Sequence, residues 1–219
     1  MLKFNEQDHK YTWNGNTVLS VTQILSSIGV RRSEDNFWNS ISGSEFIKDD
    51  RTAAFGTEFH SIAEYTLKDC LGVYDPAFEP WKIGLSKFFA DHPELVTYAF
   101  VANKELKTVE GWDSNQFIEM PLYSRRGYAG TPDWLAINEK DGSIWLIDWK
   151  TSTQKQDHWR LQMAAYALLI KENFGIRKKI NRMSVRVFEN DYEPILYKNI
   201  AADDNLFLSI LNVFKNFSK

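Results

Sequence analysis

Asp133, Asp148 and Lys150 are the residues whose types and spacing most directly imply chemistry. Asp133 opens the run Asp133-Trp134-Leu135-Ala136-Ile137, and Asp148 and Lys150 close the run Ile144-Trp145-Leu146-Ile147-Asp148-Trp149-Lys150. A polar loop around Asp141-Gly142 suits a hairpin turn between them. Setting Ile137 opposite Ile144 and Leu135 opposite Leu146 carries Asp133 round to face Asp148. Opposed residues on antiparallel strands have Cβ atoms about 4.5–5.5 Å apart, and like charges there repel unless something compensates them. A divalent cation is the natural compensation, so the pair reads as a metal site. Lys150 projects from the same face as Asp148, about 6.6 Å further along, within reach of a water or phosphate beside that cation. The competing reading is an exposed Asp-Lys pair at a strand end. Trp145, Leu146, Ile147 and Trp149 argue against it, because they mark a strand buried on both faces, where uncompensated charge is expensive.

Such a hairpin needs elements to hold it, and the sequence predicts them. Lys10–Trp13, the turn Asn14-Gly15 and Asn16–Leu19 form a small hairpin. A short helix follows, with Ser20 and Gln23 as a capping box, Val21, Ile24, Leu25 and Ile28 as its apolar face and Gly29 as its stop. Thr52 to about Leu71 reads as a helix with Phe59, Ile62, Ala63 and Leu67 on the apolar side. Gly56, His60 and Glu64 lie one turn apart along one face of it, and the glycine permits close approach of another chain. A further helix runs from Pro76 or Phe78 to Ala90, before His92-Pro93. Leu95–Val109 and Asn115–Tyr123 read as strands, with Glu119 on the second. Beyond the central hairpin, Asp157–Phe174 is a helix with Gly175 as its stop, and Gln162 and Tyr166 share one face of it. Met183–Phe188 and Ile195–Tyr197 give two more strands, and Asp203–Phe217 a final amphipathic helix.

No linker, repeat or low-complexity segment divides the chain. The expected organisation is one domain over 1–219, with a hairpin-and-helix appendage over 1–50, a core over 52–190 and a terminal strand and helix over 191–219. At 219 residues with 43% hydrophobic content, the chain can bury a sizeable core. No stretch approaches the roughly 20 apolar residues of a membrane span, and Met1–Glu6 has no signal-peptide character, so the expected location is the cytoplasm and no membrane partner is expected. Cys70 is the only cysteine, which rules out an internal disulfide and a four-cysteine iron–sulphur cluster. A net charge of −3 argues against coating nucleic acid through bulk positive charge, so any such contact must be local. Basic spots stand at Arg31-Arg32, Lys48 with Arg51, Arg125-Arg126, and Arg177-Lys178-Lys179 with Arg182 and Arg186. Arg125 and Arg126 are favoured as substrate contacts because they immediately precede the Gly127–Asp133 segment.

Gly127-Tyr128-Ala129-Gly130-Thr131-Pro132-Asp133 followed by Leu146-Ile147-Asp148-Trp149-Lys150-Thr151-Ser152 resembles the catalytic signature of the PD-(D/E)XK nucleases, in their RecB-like exonuclease branch. Gly56-Thr57-Glu58-Phe59-His60-Ser61-Ile62-Ala63-Glu64 is similar to that branch's helical motif with a metal-binding histidine, and Gln162-Met163-Ala164-Ala165-Tyr166 to its glutamine-x-x-x-tyrosine motif. The motifs occur in family order over Gly56–Tyr166. His9-x-Tyr11, Asn14-Gly15 and Ser20-Val21-Thr22-x-Ile24-Leu25 resemble the amino-terminal segment of small phage-borne and mitochondrial genome maintenance members, although they fit a structural appendage equally well.

The resemblance implies an α/β restriction-endonuclease-like core, a mixed central β-sheet flanked by helices. It further implies one or two Mg²⁺ or Mn²⁺ ions held by His60, Asp133, Asp148 and the carbonyl of Trp149, with Lys150 orienting the attacking water. Glu64 would hold the imidazole or bind metal itself, and Glu119 would be an ancillary ligand, although on the residues alone it reads as an ordinary strand carboxylate. Gln162 and Tyr166 would contact substrate; a tyrosine capping a core helix is the alternative. The implied activity is a metal-dependent exonuclease acting on DNA ends, preferably single-stranded, in a host's cytoplasm if the gene is phage-borne. A structure-specific endonuclease and a non-cleaving module that binds DNA or protein are the alternatives.

Overall fold

The computed structural model describes residues 2–5, 10–27, 50–70, 72–98 and 117–217. In chain order its strands are β1 (Leu2–Asn5), β2 (Lys10–Trp13), β3 (Asn16–Ser20), β4 (Leu95–Thr97), β5 (Leu122–Ser124), β6 (Tyr128–Gly130), β7 (Trp134–Asn138), β8 (Ile144–Lys150), β9 (Ile180–Phe188) and β10 (Asp191–Tyr197). Its helices are α1 (Val21–Ser27), α2 (Asp50–Leu67), α3 (Glu79–Asp91), α4 (Trp159–Phe174) and α5 (Ile200–Phe217). The architecture is α/β, with two mixed five-stranded sheets packed against helices. The expected helix stop at Gly29, the basic residues Arg31, Arg32 and Lys48, the strand beyond Tyr98 and the turn around Gly111 lie outside the described residues.

The central sheet runs β10-β9-β8-β7-β4. β7 and β8 pair antiparallel with Leu135 opposite Leu146 and Ile137 opposite Ile144, the register the apolar pattern predicts. One step beyond the Trp134–Ile147 pair, Asp133 meets Asp148. The turn between the strands is fastened by the Ser143 N–H, which donates to Asp141 Oδ1 at 2.8 Å, and Gly142 supplies a φ of +68°. β9 lies parallel to β8, with Ser184 opposite Asp148 and Arg186 opposite Lys150. α4 is the crossover that parallel pairing requires. Gly175, at φ +65°, ends it in the left-handed region. β10 closes one edge, where Pro194 is tolerated.

Strand alternation divides the core between the two faces of this sheet. Leu135, Ile144, Leu146 and Ile180 pack on one face against apolar side chains of α1, α4 and α5. Trp134, Ile147, Trp149, Met183 and Val185 pack on the other against Phe59, Ile62, Leu85 and Phe88 of α2 and α3. Asp148, Lys150 and Ser184 fall on the α4 side by the same period of two.

The capping box forms as expected: Gln23 N–H donates to Ser20 Oγ at 3.0 Å, and Ser20 N–H to Gln23 Oε1 at 2.9 Å. The amino-terminal hairpin shares a sheet with core strands, because β3 pairs parallel with β6 and β6 antiparallel with β5. β1 is an additional strand on β2. Glu119 departs from expectation, since it lies on no strand. It has a φ of +46° between a bridge pairing Ile118 with Trp134 and the start of β5, and its N–H donates to Asp133 O at 2.8 Å. β9 and β10 are longer than the alternation indicates, and α5 begins at Ile200 rather than Asp203.

α3 presses against the turn between β9 and β10. A Cβ at Gly84 would lie 2.5 Å from Asp191 O and 2.7 Å from Phe188 O, both backbone atoms with no rotamer to yield. Helix propensity alone would make alanine about 1 kcal/mol better than glycine. The clash outweighs it, because overpacking costs typically about 1–3 kcal/mol. Gly84→Ala should therefore lower stability in urea unfolding, whereas Ser86→Ala, exposed on the same helix, should leave the midpoint unchanged.

Candidate active site

Asp133 and Asp148 sit at the end of the β7–β8 ladder, only 4% and 0% exposed. Each is held by a different device. Asp133 Oδ2 accepts the backbone N–H of Trp149 at 2.7 Å, tying the end of β8 to the residue before β7. Asp148 Oδ2 pairs with Lys150 Nζ at 2.6 Å, so the lysine folds back on its own strand rather than extending past it. Asp148 Oδ1 is buried and has no hydrogen-bond partner. A buried, unsatisfied carboxylate oxygen is costly, and a cation is one of the few groups able to satisfy it.

His60 reaches this pair from α2. Its Nδ1 lies 3.1 Å from Glu119 Oε1 and 3.4 Å from Asp133 Oδ2. His60, Glu119 and Asp133 offer ligand atoms that all fall within 4.8 Å of one another. Glu119 thus joins the site, and the left-handed backbone at this residue is what departs from the strand expected there. Glu64 turns elsewhere: its carboxylate pairs with Lys68, so the imidazole's carboxylate partners are Glu119 and Asp133. α2 passes close to Thr151 at Gly56, but a Cβ there would make an ordinary 3.8 Å contact, so the approach does not demand glycine.

Burial disfavours a charged imidazole, yet Asp133 and Glu119 outweigh that effect and hold His60 up at about 9. Burial also pushes the Asp133 carboxyl well above the usual carboxylate range; the charge on His60 pulls against this, while Asp148 adds to it. The cluster therefore retains protons that an incoming cation would displace. The buried orphan oxygen of Asp148 and the mixed imidazole-carboxylate set fit a divalent metal ion.

Lys150 Nζ also donates to Gln162 Oε1 at 3.1 Å and lies 5.7 Å above the ring of Trp159. Gln162 Nε2 in turn donates to Tyr166 OH at 3.0 Å, so Lys150, Gln162 and Tyr166 form one hydrogen-bonded line along α4. β6 packs tightly onto that line. A Cβ at Gly130 would lie 2.7 Å from the Tyr166 ring. Tyr11 of β2 meets Thr131 Oγ1 at 2.7 Å, bringing the amino-terminal hairpin to the segment that leads into Asp133.

Arg125 and Arg126 are not brought to the carboxylates. They occupy the β5–β6 turn, where Glu172 accepts the Arg125 N–H at 2.8 Å and the Arg126 guanidinium at 3.1 Å. Glu172 is ten residues beyond Gln162 on α4, about 15 Å along the helix axis. Ser184 carries no signal in the sequence, because a serine in an alternating strand reads as solvent-facing. It is fully buried and donates to Asp148 Oδ2 at 3.4 Å. Among the described residues, no helix is long and apolar enough to cross a membrane.

A model of the PD-(D/E)XK nuclease superfamily matches residues 40–214, and the chain belongs to that superfamily, whose members use divalent metals. It is therefore a nuclease by family. No curated protein matches the chain. Among solved structures, the crystal structure of a candidate exonuclease from Eubacterium rectale is 12% identical, over 90% of this chain and 82% of that one. The TM-score between the two is 0.35.

Proton retention makes the metal-free protein sensitive to pH. With His60 raised from 6.5 to about 9, its stabilising contribution is complete below 6.5 and is lost as pH rises through about 9. Unfolding of EDTA-treated protein should show falling stability across that window, and His60→Gln should flatten the slope. Mn²⁺ should reverse it, because binding releases protons; at about 100 times its Kd the ion should add about 2.7 kcal/mol.

Proposed function

We propose that this chain is a metal-dependent DNA exonuclease that hydrolyses phosphodiester bonds at DNA ends, with a preference for single strands. The observation that carries the reading is the pair of buried carboxylates Asp133 and Asp148, with one orphaned oxygen and Lys150 on the other. His60, Asp133, Asp148 and the Trp149 carbonyl would hold Mg²⁺ or Mn²⁺, with Glu119 as an ancillary ligand. When bound, one or two such ions neutralise phosphate charge and acidify a water.

The remaining work falls to the side chains. Lys150, fixed by Asp148 and Gln162, orients the attacking water and offsets the charge that builds on the phosphate in the transition state. Gln162 uses its carbonyl on Lys150 and its amide on Tyr166, which leaves the Tyr166 hydroxyl proton to donate to a substrate phosphate. Glu119 aligns the His60 ring by accepting from Nδ1.

Support for action at ends and on single strands comes from the motif resemblance to small RecB-like exonucleases. Base stacking on the chain's abundant aromatic residues is a compatible source of single-strand affinity, at about 1–3 kcal/mol per base. Labelled linear and circular single-stranded DNA incubated with Mg²⁺, Mn²⁺ or EDTA tests the reading. Mononucleotides from the linear substrate alone are expected. Nicked or linearised circles would mean an endonuclease, and no metal-dependent product would mean a binding module. Lys150→Ala should slow cleavage about 100-fold or more while leaving DNA binding largely intact; undiminished cleavage by a pure sample would contradict the role given to Lys150.

A further inference from the structure

Asp148 is held by more than its own strand. Ser184 stands directly across the parallel β8–β9 pair from it and is fully buried. Tyr197, on β10, lies on the same face two residues past Ile195, which is the register partner of Ser184. The Tyr197 hydroxyl donates to Ser184 Oγ at 3.1 Å, and Ser184 Oγ donates to Asp148 Oδ2 at 3.4 Å. A serine hydroxyl has one proton to give. With its oxygen accepting from Tyr197, that proton is directed at the carboxylate, and each bond polarises the next. Oδ2 then takes both Ser184 and Lys150, while Oδ1 of the same group has no partner at all.

We propose that Ser184 and Tyr197 are positioning residues for the metal site: a hydroxyl relay crossing three strands that locks the rotation of Asp148, so that Oδ2 is spent on the protein and Oδ1 is presented to the cation. The relay rests on the reading of Asp148 as a metal ligand. It makes the outermost strand of the central sheet part of the site, although its hydroxyl touches neither metal nor substrate. Lys150 alone does not decide which oxygen faces the cation, because its ammonium can pair with either oxygen of the carboxylate, whereas the buried Ser184 hydroxyl approaches from a neighbouring strand and reaches only Oδ2.

Outer-sphere partners of metal ligands typically contribute about 10–100-fold in metal affinity. Mn²⁺ binding to the DNA-free protein, followed by the electron paramagnetic resonance signal of the free ion, provides a readout independent of cleavage. Ser184→Ala should weaken Mn²⁺ binding about 10-fold. Tyr197→Phe, which keeps the ring and removes only the relay's first donor, should weaken it several-fold with the melting temperature of the metal-free protein unchanged. In the Ser184→Ala background Tyr197→Phe should have no further effect, because the relay is already broken. Additive losses, or unchanged affinity in folded Tyr197→Phe, would overturn the relay. Asp148→Ala separates the two readings: if it binds Mn²⁺ as tightly as the wild type, the ligand assignment itself fails, and if it loses the ion while Tyr197→Phe does not, only the relay fails.

Discussion

The structure depends on forcing two carboxylates together at the end of a buried ladder. Neither Asp133 nor Asp148 has access to bulk water, and their mutual repulsion is not cancelled by Lys150 alone. Around that constraint the protein arranges donors with particular addresses: the Trp149 N–H on Asp133, Lys150 and Ser184 on one oxygen of Asp148, and His60 over Asp133. What is left over is one orphaned oxygen on Asp148 and, beside it in the fold, the cluster of His60, Glu119 and Asp133, whose atoms could hold a metal ion. Stability and function conflict here, as is common where a site must be ready before its ligand arrives.

The two faces of the central sheet divide the labour. Alternate residues of β8 bury Ile147 and Trp149 against α2 and α3, which anchors the helix that delivers His60. The intervening residues, Asp148 and Lys150, face α4, whose Gln162 and Tyr166 continue the hydrogen-bonded line from Lys150. The same period of two places apolar side chains on both faces and sets Asp148, Lys150 and Ser184 at the end of the α4 face. Gly130 lets β6 approach Tyr166 closely, and Tyr11 ties the amino-terminal hairpin to Thr131.

Local patterns were legible in the sequence, and long-range placement was not. The β7–β8 register followed from matching apolar pairs, and the capping box and the glycine ending α4 are chemistry within a few residues. Asp133, Asp148, Lys150, His60, Gln162 and Tyr166 do converge. Glu119 could not be aimed from sequence, because a positive φ at a residue other than glycine is imposed by its surroundings. Arg125 and Arg126 are near Asp133 in sequence, but the Arg125 backbone N–H and the Arg126 guanidinium both go to Glu172, since β6 carries the chain away from their turn before Asp133 is reached. The parallel pairing of β3 with β6 joins residues more than a hundred positions apart, for which no local signal exists.

The most direct measurement is anomalous X-ray scattering at the manganese edge from crystals of the protein soaked in Mn²⁺. A peak is expected within coordination distance of Asp133 and of the Oδ1 atom of Asp148, with His60 alongside. A peak elsewhere, or none at saturating ion with both carboxylates well ordered, would contradict it.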